Sequence, residues 1–174
     1  MNARREIVSR RSASGFTLFE LIMVIVLLGI LAAVASPLMS SGFRAYFVGK
    51  DIAETDGQAR AALERLSREL RSVRAPSDLT ISSASDISFV DVDGILARYC
   101  MGAVGGCPGI AGDFMRNSQP LATGISGLTF SFLTKTGAAT AVAAQVFYIT
   151  ASFTATQNTI SKSFQVTISP RNFP

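Results

Sequence analysis

The sequence has no histidine, no tryptophan, only two cysteines, and charged residues at 16% of its 174 positions. Without histidine the commonest general base and metal ligand is missing, and neither a Ser-His-Asp nor a Cys-His arrangement can be assembled. Two cysteines without histidine partners are too few for a zinc site. The composition therefore argues against an enzyme and against a bound metal or other cofactor. The lack of tryptophan leaves the core to phenylalanine, with Phe89, Phe130, Phe132, Phe147 and Phe153 as its expected members.

Acidic residues are also scarce, and the net charge is +4 with a pI near 9.5. That balance would suit a nucleic-acid binder, but it is unevenly placed. Residues 1–15 hold Arg4, Arg5, Arg10 and Arg11 against Glu6 alone, which leaves twelve basic and eleven acidic residues in the rest. A near-neutral body without a Lys/Arg cluster has no electrostatic footprint for a phosphate backbone, so no nucleic-acid partner is expected.

What the chain does have is one long apolar run, FTLFELIMVIVLLGILAAVASPL, from Phe16 to Leu38. As a helix it is long enough to span a hydrocarbon core, and membrane lipid is its expected surrounding. The arginines before it and the absence of a matching cluster close behind place the tip in the cytoplasm and the C-terminal part outside, on the periplasmic side in a bacterium. Glu20 interrupts the run. A carboxylate near the start of a spanning segment is costly if it goes deep. At headgroup level in a first helical turn, the helix dipole would favour it.

The stretch Arg10-Arg11-Ser12-Ala13-Ser14-Gly15-Phe16-Thr17-Leu18-Phe19-Glu20 resembles the processing site of type IV prepilins: a short basic leader ending in glycine, then phenylalanine, with glutamate at the fifth mature position. Pro37 at mature position 22 fits the same family, and the resemblance covers roughly residues 4–40. It implies a prepilin peptidase that cuts between Gly15 and Phe16 and methylates the new amine of Phe16, so that residues 1–15 are a leader outside the fold. It also gives Glu20 a role. The freed ammonium of Phe16 and the carboxylate of Glu20 are each expensive to bury alone, and pairing between neighbouring subunits would offset both. A second parse places a signal-peptidase cut after Ala33-Val34-Ala35, before Ser36. Glu20, Pro37 and the length of the apolar run stand against it.

From Phe43 to Arg74 the pattern becomes amphipathic. Val48, Ile52, Ala59, Leu63, Leu66, Leu70 and Val73 form one stripe, and Arg60, Glu64, Arg65, Arg68 and Glu69 lie opposite, with Glu64 and Arg68 spaced as an i,i+4 pair. Pro76 is the expected stop. Joined to the apolar run, this makes a helix of about 59 residues, roughly 90 Å long, kinked where Pro37 removes a donor.

Beyond Pro76 the period changes to two, with strands expected at Ile87–Val92, Ile95–Met101, Leu128–Leu133, Val146–Thr154 and Ser161–Ser169. They read as an antiparallel sheet whose apolar alternates, among them Ile149, Ala151, Phe153, Phe164 and Ile168, pack on the amphipathic helix half. The fold class is α+β, similar to the type IV pilin fold. Its parts are a leader (1–15), a transmembrane or filament-core half-helix (16–38), an amphipathic half (39–75) and a periplasmic β-rich domain (76–174). Asp91-Val92-Asp93-Gly94 has the look of a calcium loop, but Asp93-Gly94 is better read as a two-residue hairpin turn, and no metal is expected. Cys100 and Cys107 enclose a glycine-rich segment and are expected to form a structural disulfide in an oxidising compartment.

The segments Ala62–Arg71 and Pro120–Phe130 look like parts of larger minor pilins, with the resemblance nearest to the J-type minor pseudopilin of type II secretion and to mannose-sensitive haemagglutinin-type minor pilins. Glu20 disfavours the K-type pseudopilin, which lacks the fifth-position glutamate. The resemblance implies a subunit that joins or primes a pilus or pseudopilus. Its partners would be other major and minor pilins, met through the N-terminal helix, and an inner-membrane assembly platform. The alternative is a membrane-anchored periplasmic binding module that never polymerises.

Overall fold

The computed structural model describes residues 15–173, and the basic tip, with nearly all of the expected leader, lies outside them. Helix α1 runs Leu18–Arg71 and contributes to two compact units that divide between Tyr46 and Phe47. In the first unit every described side chain is exposed, including Leu21, Leu27, Leu31 and Leu38. α1 is long and apolar enough to cross a membrane.

In the second unit α1 buries Ala59, Ala62, Leu63, Leu66 and Leu70, which lie on one face at the expected three- and four-residue steps. Val48 and Ile52, expected in the same stripe, stay exposed and half-buried. The helix ends at Arg71, earlier than the expected Arg74 and without the help of Pro76. Strand pairing wins over helix continuation here. Ser72 folds back on Glu69 through both its N–H and its Oγ, Val73 bridges to Asp91, and the Arg74 N–H donates to the Val90 carbonyl at 3.1 Å.

Eight strands follow: β1 Leu79–Ser83, β2 Asp86–Val90, β3 Leu96–Met101, β4 Phe114–Arg116, β5 Gln119–Ala122, β6 Ile125–Leu133, β7 Tyr148–Gln157 and β8 Ile160–Ile168. They form two antiparallel sheets, β1 to β5 in order and β6-β7-β8, where one sheet was expected. The division falls at Gly124, whose φ of +67° few other residues adopt and whose added Cβ would lie 2.8 Å from the Thr156 carbonyl oxygen. β1, β4 and β5 lie outside the expected strands: β4 and β5, of three and four residues, are too short to display a period, and in β1 only Leu79 is buried. In β6 a bulge between Ser126 and Thr129 breaks the alternation, and the strand begins at Ile125, ahead of the expected Leu128.

The core joins α1 to both sheets. An aromatic series crosses from one sheet to the other: Phe89 on Tyr99 (6.0 Å between centroids), Tyr99 on Phe114 (5.8 Å), Phe114 on Phe153 (5.6 Å) and Phe153 on Phe164 (5.6 Å). Each such pair contributes about 0.5–1.5 kcal/mol beyond its buried area. Phe89, Phe130, Phe132 and Phe153 are buried as expected, Phe147 only half-buried, and Tyr99 and Phe114 are further core members.

The β2–β3 hairpin corrects the expected two-residue turn. Asp91 N–H donates to the Ile95 carbonyl and Gly94 N–H to the Asp91 carbonyl, so three residues, Val92, Asp93 and Gly94, form the loop. Gly94 has φ +80°, as the closing residue of such a loop requires.

Candidate processing and assembly site

Gly15, Phe16 and Thr17 precede the helix, and Phe16 is 79% exposed. Thr17 caps α1: its Oγ1 accepts the Glu20 N–H at 3.2 Å, and its carbonyl accepts the Leu21 N–H at 3.2 Å. Thr17 and Glu20 have the S/T-x-x-E spacing of a capping box, a signal the sequence carried and the processing motif overshadowed. Glu20 therefore lies in the first turn, at the positive end of the helix dipole. The peptide bond between Gly15 and Phe16 lies just outside the first helical turn, on chain that helix hydrogen bonds do not protect.

α1 continues through Pro37, which supplies no N–H and leaves the Ala33 carbonyl without its helical donor. One turn on, Ser41 Oγ donates to the Leu38 carbonyl at 3.0 Å. Gly29 and Gly42 have open space where a Cβ would stand, so backbones of other helices can approach there closely. An isolated rod with this much exposed apolar surface is unstable in water, at about 25 cal/mol per Å² of apolar area, and demands lipid or like helices around it.

The structure places the other singled-out residues far along the chain from this site. Cys100 and Cys107 are joined by a disulfide with Cα atoms 5.9 Å apart; both are buried and packed with Met115. Asp91 uses Oδ1 to accept the Asp93 and Ile95 amides, each at 2.9 Å. Among the described residues no group of three or more Asp, Glu, Cys or His side chains is placed to hold a metal ion.

The charged face of α1 differs from expectation. Glu64 and Arg68 form no ion pair. Arg65 bonds to Glu69 instead, and Arg116 of β4 bonds to the same carboxylate. Burial pushes the Glu69 carboxyl up, and its hydrogen bonds from Arg116 and Arg65 more than reverse this, leaving its pKa below the usual value. The Tyr99 hydroxyl, fully buried beside them, makes no well-formed hydrogen bond, and burial followed by the Glu69 carboxylate pushes its pKa up. Arg98 holds the buried Asp86 with two bonds of 3.0 and 2.6 Å. Arg65 and Glu69 have the i,i+4 spacing of a helical pair, whereas no spacing signals Arg116–Glu69 or Arg98–Asp86, which packing of the sheet on α1 and strand pairing bring together.

No curated protein shows significant similarity to the chain. Residues 10–36 match the family model described as the prokaryotic N-terminal methylation motif, and with the apolar helix that match supports a membrane-anchored, type IV pilin-like protein.

Proposed function

We propose that the chain is a minor pilin or pseudopilin, a structural subunit that joins or primes a type IV pilus or a type II secretion pseudopilus. The observation that carries this reading is the order of features at the N-terminus: Gly15-Phe16 before the helix, Glu20 in its first turn, and an apolar helix surface that the other described residues leave exposed. The motif implies cleavage by a prepilin peptidase, here between Gly15 and Phe16, with methylation of the Phe16 amine. Before assembly the apolar half-helix rests in the inner membrane with the β-rich domain in the periplasm. An ATP-driven platform then lifts the subunit out, and helix-to-helix packing replaces helix-to-lipid packing. In the filament Glu20 pairs with the Phe16 ammonium of a neighbour and sets axial register, since a buried charge left alone would oppose entry. Pro37, by freeing the Ala33 carbonyl, allows the rod to bend as it packs.

The test is the mass of the mature protein from its native membrane. A chain beginning at Phe16, with or without a methyl group, supports prepilin processing. One beginning at Ser36 has lost Glu20 and most of the apolar rod, and the pilin reading falls. Crosslinking through the apolar helix then separates a filament subunit, which captures other pilins, from an anchored binding module, which does not.

A further inference from the structure

Between the second half of α1 and strand β8 runs an open groove of about 920 Å³. Phe164, Gln165 and Val166 all line it. Successive strand residues point to opposite faces, so three in a row reach one groove only along the edge of the strand. β8 is the outermost strand of its sheet, and among the described residues no backbone group bonds to its outer side. Open edges are ordinarily blocked by an outward charge, usually lysine. Here Lys162 is drawn onto Asp56 of α1 at 2.6 Å, which closes the start of the strand and leaves the stretch from Phe164 onward free.

The helix wall of the groove and its end carry Arg68, Arg71 and Arg171. Among the described residues none of the three is in an ion pair, and Glu64 is the one acid lining the groove. The Arg171 N–H donates to the Arg71 carbonyl, which holds the two guanidinium-bearing residues at one end of the groove. Arginine near a helix C-terminus is favoured by the dipole, which accounts for Arg68 and Arg71 separately but not for Arg171 joining them.

We infer that this groove receives an extended acidic segment of a partner protein, added to β8 as a further antiparallel or parallel strand. The open edge supplies backbone partners, and the arginines supply the charge preference. The spacing agrees: alternate residues of a strand are about 6.6 Å apart, and Arg68 and Arg71, three apart on a helix, are about 5–6 Å apart, so two acids separated by one residue meet both. Leu63 and Val166 add apolar lining to the groove beside the arginines. A nucleic acid fits less well, because the groove offers a strand edge in place of an exposed aromatic stacking platform. The inference does not depend on the chain entering a filament.

The probe is a fluorescent alternating Asp-Val peptide as long as β8 (9 residues), titrated into the full chain in detergent, beside an alternating Lys-Val peptide, a single-stranded DNA oligomer and phosphatidylglycerol vesicles. The Asp-Val peptide should bind, weaken with salt, and slow amide exchange across residues 164–168. Arg68→Glu with Arg71→Glu should weaken it about tenfold or more, equal to 1.4 kcal/mol. Arg171→Glu, which leaves the helix untouched, should weaken it in the same direction. No binding, equal binding of the Lys-Val peptide, unchanged binding in both variants, or unchanged exchange in β8 would each overturn the inference. Tighter binding of DNA or vesicles through the same arginines would replace it with a phosphate-recognising surface.

Discussion

Arg116 on β4 donates from Nε to Oε2 of Glu69 on α1 at 2.8 Å, joining residues 47 apart in sequence and fastening the last turns of the helix to the five-stranded sheet. Arg65 grips the other oxygen of the same carboxylate at 3.0 Å.

This double hold makes the stability of the β-rich unit depend on acid. Because the folded Glu69 pKa is lowered from 4.5, its contribution is fully present above that value and is lost as pH falls through the folded pKa. Glu69→Gln should destabilise by about 1–3 kcal/mol at neutral pH. Urea melts from pH 7 down to 3 should show the gap between wild type and variant closing below about pH 4.5. A constant gap would mean that the carboxylate charge does not matter.

The Cys100–Cys107 disulfide closes a short loop, and the chain-entropy argument gives about 2–3 kcal/mol for it. Neither sulfur carries a free thiol, so the protein should take up no thiol label, with or without denaturant. Two labelled cysteines would contradict the bond. Replacing both by serine should lower the melting temperature by several degrees while leaving the far-UV spectrum of the helix intact.

Gly102 follows β3 at the mouth of that loop, donating its N–H to the Asp113 carbonyl at 2.8 Å, and a Cβ built on it would run into the Ile110 carbonyl. Backbone cannot step aside as a flexible side chain can, so Gly102→Ala should cost about 1–3 kcal/mol. Gly94→Ala meets no atom and is strained only through its φ of +80°, at a cost of roughly 1 kcal/mol. Denaturant midpoints of the two variants should fall in that order.

On the proposed function, Glu20→Ala should separate cleavage from assembly. The Thr17 cap accepts from the backbone N–H of residue 20, which the substitution keeps, so the helix start and processing at Gly15 should survive. Entry into filaments should fall about tenfold or more. Normal cleavage with undiminished incorporation would remove the pairing role assigned to Glu20.

What the sequence by itself determined is whatever depends on neighbours along the chain. The apolar run, the stripe through Ala59, Leu63, Leu66 and Leu70, and the longer strands repeat at the period of their own backbone geometry, so they are legible locally. So was the N-terminal methylation motif, which rests on the order of residues 10–36 alone. The capping pair Thr17 and Glu20 was legible too, through its spacing.

Only the tertiary structure decided the rest. The helix stops at Arg71 because Val73 finds a strand partner in Asp91, and no local signal competes with that pairing. Glu69 is drawn from the expected solvent face into a bond with Arg116, and Lys162 bonds to Asp56, because the packing of the strands on α1 sets which distant charges meet. The chain passes from one sheet to the other at Gly124, whose positive φ turns the backbone where the pattern of side chains says nothing.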